Sequence, residues 1–499
     1  MAVTSGLSLD ADRYAGRSSW APSLPLVAGF AVFLALANLN GLPLLADPDS
    51  HWHITVGNWI LQHGAVPYVD PYCYTFTGQP WIAKEWLSQV LMALAYNLGG
   101  WAAVVALCAA AFGATSAVLM RILMRDIRPA PALLFTAAAF TMMASHFLAR
   151  PFALAFPFML IWVAGLVRAV EERRAPDWRL LFAMLLWANL HGGFTLGLML
   201  GGVFGLEALI GGKDWAERKQ LFLAWAKFGV AALAVSCVTP YGPYSIWVTF
   251  QIFGLGDALP LIQEWRSPDF QTQPLMEAIL LIGLYLILAR GVKLPLMRVL
   301  VVVGLTHMLL RHVRNAELLV TLAPIAIAPV LARQWPILRK DAEGKYLFAS
   351  FARPAGYSAL AVALLAGLVY TASLSRWAGI QPPEATQPGA AMEFARAQGL
   401  TKGHVLNHYG YGGYLISAGV PTFIDGRAEL YGGEFIKKYV EAVHLRGDEP
   451  NLLENTLEKY DVSWTLLLKE QPANKVLARL PGWRQAYVDD QATIFVRER

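Results

Sequence analysis

Residues 47–86 begin with Asp47-Pro48-Asp49-Ser50-His51-Trp52-His53 and end with Trp81-Ile82-Ala83-Lys84-Glu85-Trp86. This stretch follows an apolar run over about residues 22–43, which is long enough to cross a bilayer. Carboxylates, imidazoles and an ammonium group therefore lie directly at a membrane surface. Side chains of these types are suited to acid–base chemistry and to anion binding.

The composition is that of a membrane protein. Hydrophobic residues make up 56% of the chain, charged residues make up 15%, and the mean hydropathy is +0.44, whereas soluble domains carry about 25% charged residues. The net charge is +5, but the basic residues lie in short clusters between apolar runs. They are typical of topology signals, so we expect no nucleic-acid partner.

Apolar segments recur along the first three quarters of the chain. They cover residues 22–43, 101–120, 131–148, 152–168, 180–212, 222–239, 274–290, 296–311, 316–333 and 356–375. His191-Gly192-Gly193 interrupts the long segment at 180–212, which therefore predicts two short spans. The sequence predicts a predominantly α-helical, polytopic bundle of about eleven spans, in which residues 86–99 form an interfacial helix.

Lys and Arg accumulate in every second connection between these spans. By the positive-inside rule, the N-terminus is cytoplasmic, and the protein is expected in a bacterial inner membrane. In this topology the unusual polar motifs emerge on the outer side, where they are expected to share one cavity. They occupy residues 47–85, 145–151, 189–193, 239–242, 263–266 and 311–315.

The composition becomes more polar after about residue 377, and Pro382-Pro383 marks a linker. We predict a membrane domain at 1–376, with its first external loop at 44–100, and a soluble extracytoplasmic α/β domain at 377–499. Strands are predicted at 404–407, 421–425 and 463–468, with a closing hairpin at 485–496. Helices are predicted after Gly412-Gly413 and at 434–444, 452–460 and 475–480.

The first external loop supplies the candidate catalytic carboxylates, which are Asp47, Asp49 and Glu85. Either aspartate is a candidate base that takes a proton from an acceptor hydroxyl, while the other orients it or holds a divalent cation. Glu85 is expected to orient Lys84. The alternatives are that Asp49 and His51 cap the following helix and that Lys84 and Glu85 form a solvated helix start.

The donor-phosphate candidates are Lys84, Arg150, Arg311 and Arg314, because phosphate leaving groups require cations. Simple anchoring of these side chains in the headgroup layer is the alternative. Asp49, His51 and His53 form a candidate site for Mg²⁺ or Mn²⁺ on an extended segment. The predicted assisting or substrate-binding residues are His51, His53, His191, Glu264, Asp425 and Arg427. An internal Asp425–Arg427 ion pair in a turn is the alternative for the last two.

The arrangement resembles the GT-C superfamily of polytopic glycosyltransferases, in which a first span leads into an external loop with an acidic motif. Asp47 and Asp49 match that motif, and residues 70–86 resemble the loop that continues into a second interfacial helix. The resemblance implies a loop aspartate as base and a polyprenyl-phosphate sugar as donor. The expected acceptor is a lipid, glycan or protein on the extracytoplasmic side.

Two other classes of function stay open from the sequence. A transporter or lipid flippase would use His191 and His307 as pathway residues. A non-catalytic assembly protein for an envelope polysaccharide would use the outer domain to bind its partner.

Overall fold

The computed structural model describes residues 19–38, 42–340, 347–377 and 379–498. Residues 39–41 of the first predicted span lie outside the described residues. The helices that precede the C-terminal domain are α1 (Leu24–Asn38), α2 (Leu42–Leu45), α3 (Ser50–His63), α4 (Trp86–Asp126), α5 (Pro129–Met142), α6 (Pro151–Glu171), α7 (Leu180–Leu190), α8 (Phe194–Ile210), α9 (Trp215–Ser236), α10 (Tyr244–Gln251), α11 (Pro274–Arg290), α12 (Leu296–Arg311), α13 (Ala316–Gln334) and α14 (Tyr357–Trp377).

These helices coincide with the apolar runs of the sequence, and the predicted class of a polytopic helical bundle with a small C-terminal sheet is confirmed. Four helices in the described parts of the chain are long and apolar enough to cross a membrane: Trp86–Asp126, Pro151–Glu171, Val313–Gln334 and Tyr357–Leu374. Other apolar helices are shorter. Helix α7 has 11 residues and extends about 16 Å, roughly half the thickness of a hydrocarbon core.

The long helix α4 consists of two arms that meet at Gly99 and Gly100. Gly100 has φ of 60° and ψ of −152°, a conformation that a side chain would make unfavourable. The first arm coincides with the predicted interfacial helix at 86–99, and the second contains the predicted span at 101–120. Helix α1 packs against this second arm, where a Cβ on Gly29 would lie 2.6 Å from the carbonyl oxygen of Gly113.

A buried ionic cluster joins four helices of the bundle. Arg298 at the start of α12 is 1% exposed, and it donates to Glu207 of α8 at 2.8 Å and to the backbone oxygen of Ala326 in α13 at 2.9 Å. The same guanidinium pairs with Glu171, at the end of α6, at 2.6 Å. Because Arg150 lies at the opposite end of α6, this cluster lies far from the polar motifs of the first external loop.

The first external loop is more helical than the sequence predicts. Helix α3 starts at Ser50, and Asp49 already has αR backbone angles, so His51 and His53 lie on a helix and not on an extended segment. Farther along, Val69 pairs with Pro80 and Cys73 pairs with Thr422 as isolated bridges. The second bridge joins the loop to the C-terminal domain.

The C-terminal domain holds one four-stranded sheet and several short helices. Its helices are α15 (Gly389–Ala397), α16 (Gly412–Ser417), α17 (Ala428–His444), α18 (Leu452–Lys459) and α19 (Ala473–Leu477). Its strands are β1 (His404–Asn407), β2 (Val462–Leu468), β3 (Trp483–Val488) and β4 (Ala492–Arg497), in the order β1-β2-β4-β3. Strands β1 and β2 are parallel, and β4 is antiparallel to both β2 and β3.

Most of the predicted elements of this domain are present, including β1, β2 and the closing hairpin. The strand predicted at 421–425 was wrong. The backbone N–H of Thr422 donates to the Tyr72 carbonyl, and the Thr422 carbonyl accepts from the N–H of Tyr74, at 3.1 Å each. This segment therefore pairs with the first external loop instead of joining the sheet. The sequence prediction also omitted helix α15.

Candidate active site

A cavity of about 730 Å³ opens between the helix ends of the bundle and the C-terminal domain. Ten of the predicted site residues line it: Asp47, Asp49, His53, Lys84, Glu85, Arg150, His191, Glu264, Arg314 and Arg427. Nine of them come from five separate polar motifs, which the structure brings to the same end of the bundle, and Arg427 comes from the C-terminal domain. The other three predicted residues, His51, Arg311 and Asp425, are outside the lining. Arg311 is exposed at the end of α12, so the structure does not bring it to the phosphate candidates.

Arg150 is the centre of the acidic part of the cavity. It precedes Pro151, the first residue of α6, and has the extended backbone that a residue before proline prefers. Its Nε donates to Asp47, its Nη2 donates to Asp49 Oδ2 at 2.7 Å, and its Nη1 donates to Glu264 Oε2 at 2.5 Å. One guanidinium thus holds three carboxylates in place.

Glu264 joins Arg150 to a second cation. Its Oε1 accepts from Arg314 Nη1 at 2.9 Å, and the Arg314 guanidinium lies 4.6 Å from the centre of the Trp265 ring. Burial disfavours the charged form of Glu264, but the two guanidinium groups outweigh it and lower its pKa to about 2. Glu264 is therefore ionised throughout the physiological range.

Asp47 and Asp49 differ in how many of their carboxylate oxygens accept hydrogen bonds and in how far their side chains are exposed. The Asp47 side chain is fully buried, with Oδ2 on Arg150 and Oδ1 accepting from the backbone N–H of Asp49 at 2.8 Å. The Asp49 side chain is 16% exposed, and Arg150 binds its Oδ2. Burial raises the pKa of both groups, and that of Asp49 reaches about 7 despite the neighbouring Arg150. Asp49 is the aspartate suited to exchange a proton near neutral pH.

Lys84 and Glu85 point to different partners. Lys84 Nζ donates to Glu429 Oε1 at 2.9 Å, and Glu85 Oε1 lies 3.4 Å from His191 Nε2. The predicted pairing, in which Glu85 orients Lys84, is therefore replaced by a Lys84–Glu429 ion pair. Although burial opposes the charge on Lys84, Glu429 and Glu85 keep its pKa above the ordinary value. Lys84 carries a positive charge into the cavity.

His191 lies in the predicted break between α7 and α8. Its Nδ1 accepts from the backbone N–H of Gly193 at 3.1 Å, which leaves the proton of the neutral ring on Nε2, toward Glu85. Burial, together with the charges of Arg314 and Lys84, lowers the pKa of His191 to about 3. The ring is therefore a neutral hydrogen-bond donor.

The predicted metal ligands do not share one site. His51 packs edge-on against Trp101 and Tyr414, His53 Nδ1 lies 3.2 Å from Gln89 Nε2, and Asp49 faces Arg150. Across the described ranges of the chain, no three His, Cys, Asp or Glu side chains are grouped to hold a metal ion. The three side chains thus contact three different neighbours, and metal binding by them stays a prediction.

Arg427 joins the C-terminal domain to the first external loop. Its fully buried guanidinium donates to Asp425 Oδ1 at 2.8 Å and Oδ2 at 2.7 Å and also binds Asp70. It lies 4.9 Å from the centre of the Trp81 ring, and Tyr431 donates to Asp425 at 2.6 Å. The Asp425–Arg427 ion pair that the sequence left as an alternative is present, and the same Arg427 borders the cavity.

Several residues that the structure places at the cavity were not among the candidate site residues, although the sequence pointed to Glu429 beside Asp425 and Arg427 and to His146 in the motif at 145–151. Glu429, His146, Tyr409 and Tyr439 line it, and Asp70 anchors Arg427. Two weak signals were available: Asp70-Pro71 repeats the Asp-Pro pair of the acidic motif, and Glu429 lies two residues after Arg427. The aromatic residues give no comparable signal, because they read as ordinary core positions.

The fold is similar to those of solved proteins that bind polyprenyl phosphates, AglB and ArnT. The oligosaccharyltransferase AglB from Archaeoglobus fulgidus, solved with an inhibitory peptide and a dolichol-phosphate, matches with a TM-score of 0.58 and 12% identity over 89% of this chain and 69% of its own. ArnT from Cupriavidus metallidurans, solved with undecaprenyl phosphate, matches with a TM-score of 0.51 and 15% identity over 94% of this chain and 97% of its own.

No protein-family model matches the sequence, and no curated protein matches it. The likeness to AglB and ArnT extends over most of the chain, through the helical bundle and into the C-terminal domain. The chain therefore has the fold of AglB and ArnT, and the fold expected from the resemblance to the GT-C superfamily is confirmed.

Proposed function

We propose that this protein is a membrane glycosyltransferase that moves a sugar from a polyprenyl-phosphate-linked donor to an acceptor on the extracytoplasmic side. The observation that carries the proposal is the cavity that Asp49 shares with the partly exposed cations Lys84 and Arg314. A base for the acceptor and cations for a phosphate leaving group are what glycosyl transfer from a lipid phosphate requires. The fold, shared with AglB and ArnT, supports the same function.

Lys84 and Arg314 are assigned to the donor phosphate. Their side chains are 22% and 26% exposed, and each has one carboxylate partner, so donor hydrogens remain for a ligand. Arg150 is less accessible and is already bound to three carboxylates. This assignment narrows the set of phosphate candidates to the cations that face the cavity with unused N–H groups.

Asp49 is assigned as the base and Asp47 as its orienting partner. The acceptor oxygen forms a bond to the anomeric carbon as the bond from that carbon to the phosphate oxygen breaks. The electron pair leaves on the phosphate, and the acceptor proton passes to the Asp49 carboxylate. Asp47 fixes the position of Asp49 through its backbone N–H and through their common partner Arg150.

The C-terminal domain is assigned to cover the cavity and to receive the acceptor. Tyr409, Tyr439 and Glu429 of this domain line the cavity opposite the acidic motif. Aromatic and charged side chains together suit a sugar-bearing or otherwise polar acceptor. We place this domain outside the bacterial inner membrane, in accordance with the distribution of Lys and Arg.

Transport is less well supported. A translocation route needs ionisable groups along the bundle, whereas His191 lies at the cavity against Glu85, and His307 is exposed outside the cavity lining. A purely structural role gives no reason for a carboxylate of raised pKa beside partly exposed cations.

The test is transfer of labelled sugar from a polyprenyl-phosphate donor by the purified protein in lipid nanodiscs. Asp49→Asn should abolish transfer while the protein remains folded. Asp490→Asn is the matched control, because the Asp490 side chain is fully exposed in the same chain. Full activity of Asp49→Asn would remove the proposed base.

A further inference from the structure

We infer that the guanidinium of Arg150 occupies the place of a divalent cation. The positive charge at this site is then supplied by a side chain of the protein and not by a bound metal ion. The inference deepens the proposed function and rests on it for its catalytic consequence. The carboxylates of Asp47, Asp49 and Glu264 come from two separate segments and converge on the side chain of Arg150.

The first argument is geometric. Carboxylates that surround a metal ion direct their oxygens at one point, at about 2.0–2.6 Å from the ion. Here the three carboxylates are spread along the guanidinium edge instead, one on each nitrogen. A divalent ion would have to remove these oxygens from Arg150 and remain near its positive charge, where the two cations repel each other.

The second argument concerns how the guanidinium is held. Pro151 fixes the backbone direction at Arg150, and the side chain is 16% exposed. If this guanidinium lost its carboxylate partners, it would be left as a buried, unpaired charge, at a large cost in free energy. Arg150 is therefore a fixed part of the site, and it acts as a positioning residue for Asp49.

The other predicted ligands do not offer a competing site. His51 Nε2 is buried without a hydrogen-bond partner, but its ring packs edge-on against Trp101 and Tyr414. His53 is turned toward Gln89. Within the described residues, neither imidazole belongs to a group of three side chains that could hold a metal ion together with Asp49.

The experiment measures Mn²⁺ binding directly, through the loss of the electron paramagnetic resonance signal of free Mn²⁺ on titration with the full-length protein in nanodiscs. The wild-type protein should bind no stoichiometric Mn²⁺. Arg150→Ala leaves three carboxylates facing one gap, so it should gain about one Mn²⁺ per chain and bind it at least tenfold more tightly than wild type. Adding Asp49→Asn to Arg150→Ala should abolish this gain.

Arg314→Ala is the matched control, because it removes the other guanidinium on Glu264 but leaves Arg150 in place; it should not bind Mn²⁺. Arg150→Gln gives a second variant, which removes the charge but keeps more of the side-chain volume than alanine, if Arg150→Ala does not fold. Stoichiometric Mn²⁺ binding by wild type that is lost in Asp49→Asn would overturn the inference, as would a folded Arg150→Ala protein without Mn²⁺ affinity. None of these readouts depends on transfer, so failure of the proposed reaction is observed separately.

Discussion

Gly426 lies against the carboxylate of Asp49, so close that a Cβ on the glycine would overlap Asp49 Oδ1. The two residues belong to the C-terminal domain and the first external loop. A similar approach joins Gly413 to the carbonyl oxygen of Pro48. The C-terminal domain is therefore fitted directly against the acidic motif, and its glycines permit that approach.

Gly426→Ala should displace Asp49 or the segment around Arg427 and reduce transfer at least tenfold. The expected cause is steric, since the Cβ of the alanine would overlap the Asp49 carboxylate, which Arg150 holds in place. Sugar transfer by the purified variant is the measurement. Gly389→Ala is the control, because a Cβ there meets no atom within 4 Å, and it should retain wild-type activity. Equal activity of the two variants would contradict the fit.

The activity should depend on the protonation of Asp49. Because burial raises the pKa of Asp49 to about 7, the carboxyl is protonated at lower pH and cannot accept a proton. The turnover rate should therefore fall about tenfold per pH unit below pH 6 and level off above pH 8. Substituting Asp49 by Glu should move this midpoint. A flat profile from pH 5 to pH 8 would argue against Asp49 as the base.

Lys84→Ala should weaken binding of a polyprenyl phosphate by about ten- to a hundredfold, the usual value of a charge-assisted hydrogen bond. Tryptophan fluorescence titration with undecaprenyl phosphate measures this affinity without requiring turnover. Lys475→Ala provides the comparison, since Lys475 is exposed on the C-terminal domain and should leave affinity unchanged. If both variants bind the lipid as tightly as wild type, Lys84 does not contact the phosphate.

Arg427→Ala should destabilise the protein by about 3–5 kcal/mol, because it leaves Asp70 and Asp425 buried without their charge partner. Unfolding of the C-terminal domain in urea, followed by protease sensitivity near residues 379–388, is the measurement. Arg484→Ala is the control: the Arg484 side chain is 61% exposed beside Glu498, so its loss should cost less than about 0.5 kcal/mol. Similar stability of both variants would show that the Arg427 network does not hold the domain.

The sequence was most informative where a local residue pattern permits only a few backbone conformations or topologies. His191-Gly192-Gly193 inside an apolar run predicts a break, and α7 ends at Leu190 while α8 starts at Phe194. The topology also predicts that Asp47, Arg150 and Arg314 lie at one face, and all three line the cavity. Hydrophobic periodicity and turn residues suffice for these features.

Pairings between distant segments were not predictable in the same way. Lys84 has Glu85 as its neighbour in sequence, but consecutive side chains diverge, and its ion-pair partner Glu429 is 345 residues away. Arg311 and Arg314 look equivalent in sequence. Only Arg314 lies beyond the end of α12, in the turn that faces Glu264. Such choices depend on tertiary packing, which one sequence does not specify by local pattern.

The ion pair between Asp70 and Arg427 joins residues that are 357 positions apart, and this distance has a consequence for biogenesis. Because the ribosome makes the chain from its N-terminus, Asp70 is synthesised well before Arg427, and this ion pair can form only after residue 427 has been made. A chain truncated after α14 would lack Arg427, and Asp70 would lose its guanidinium partner. Assembly of the folded protein therefore requires the segments that carry Asp70 and Arg427 to reach the same side of the membrane.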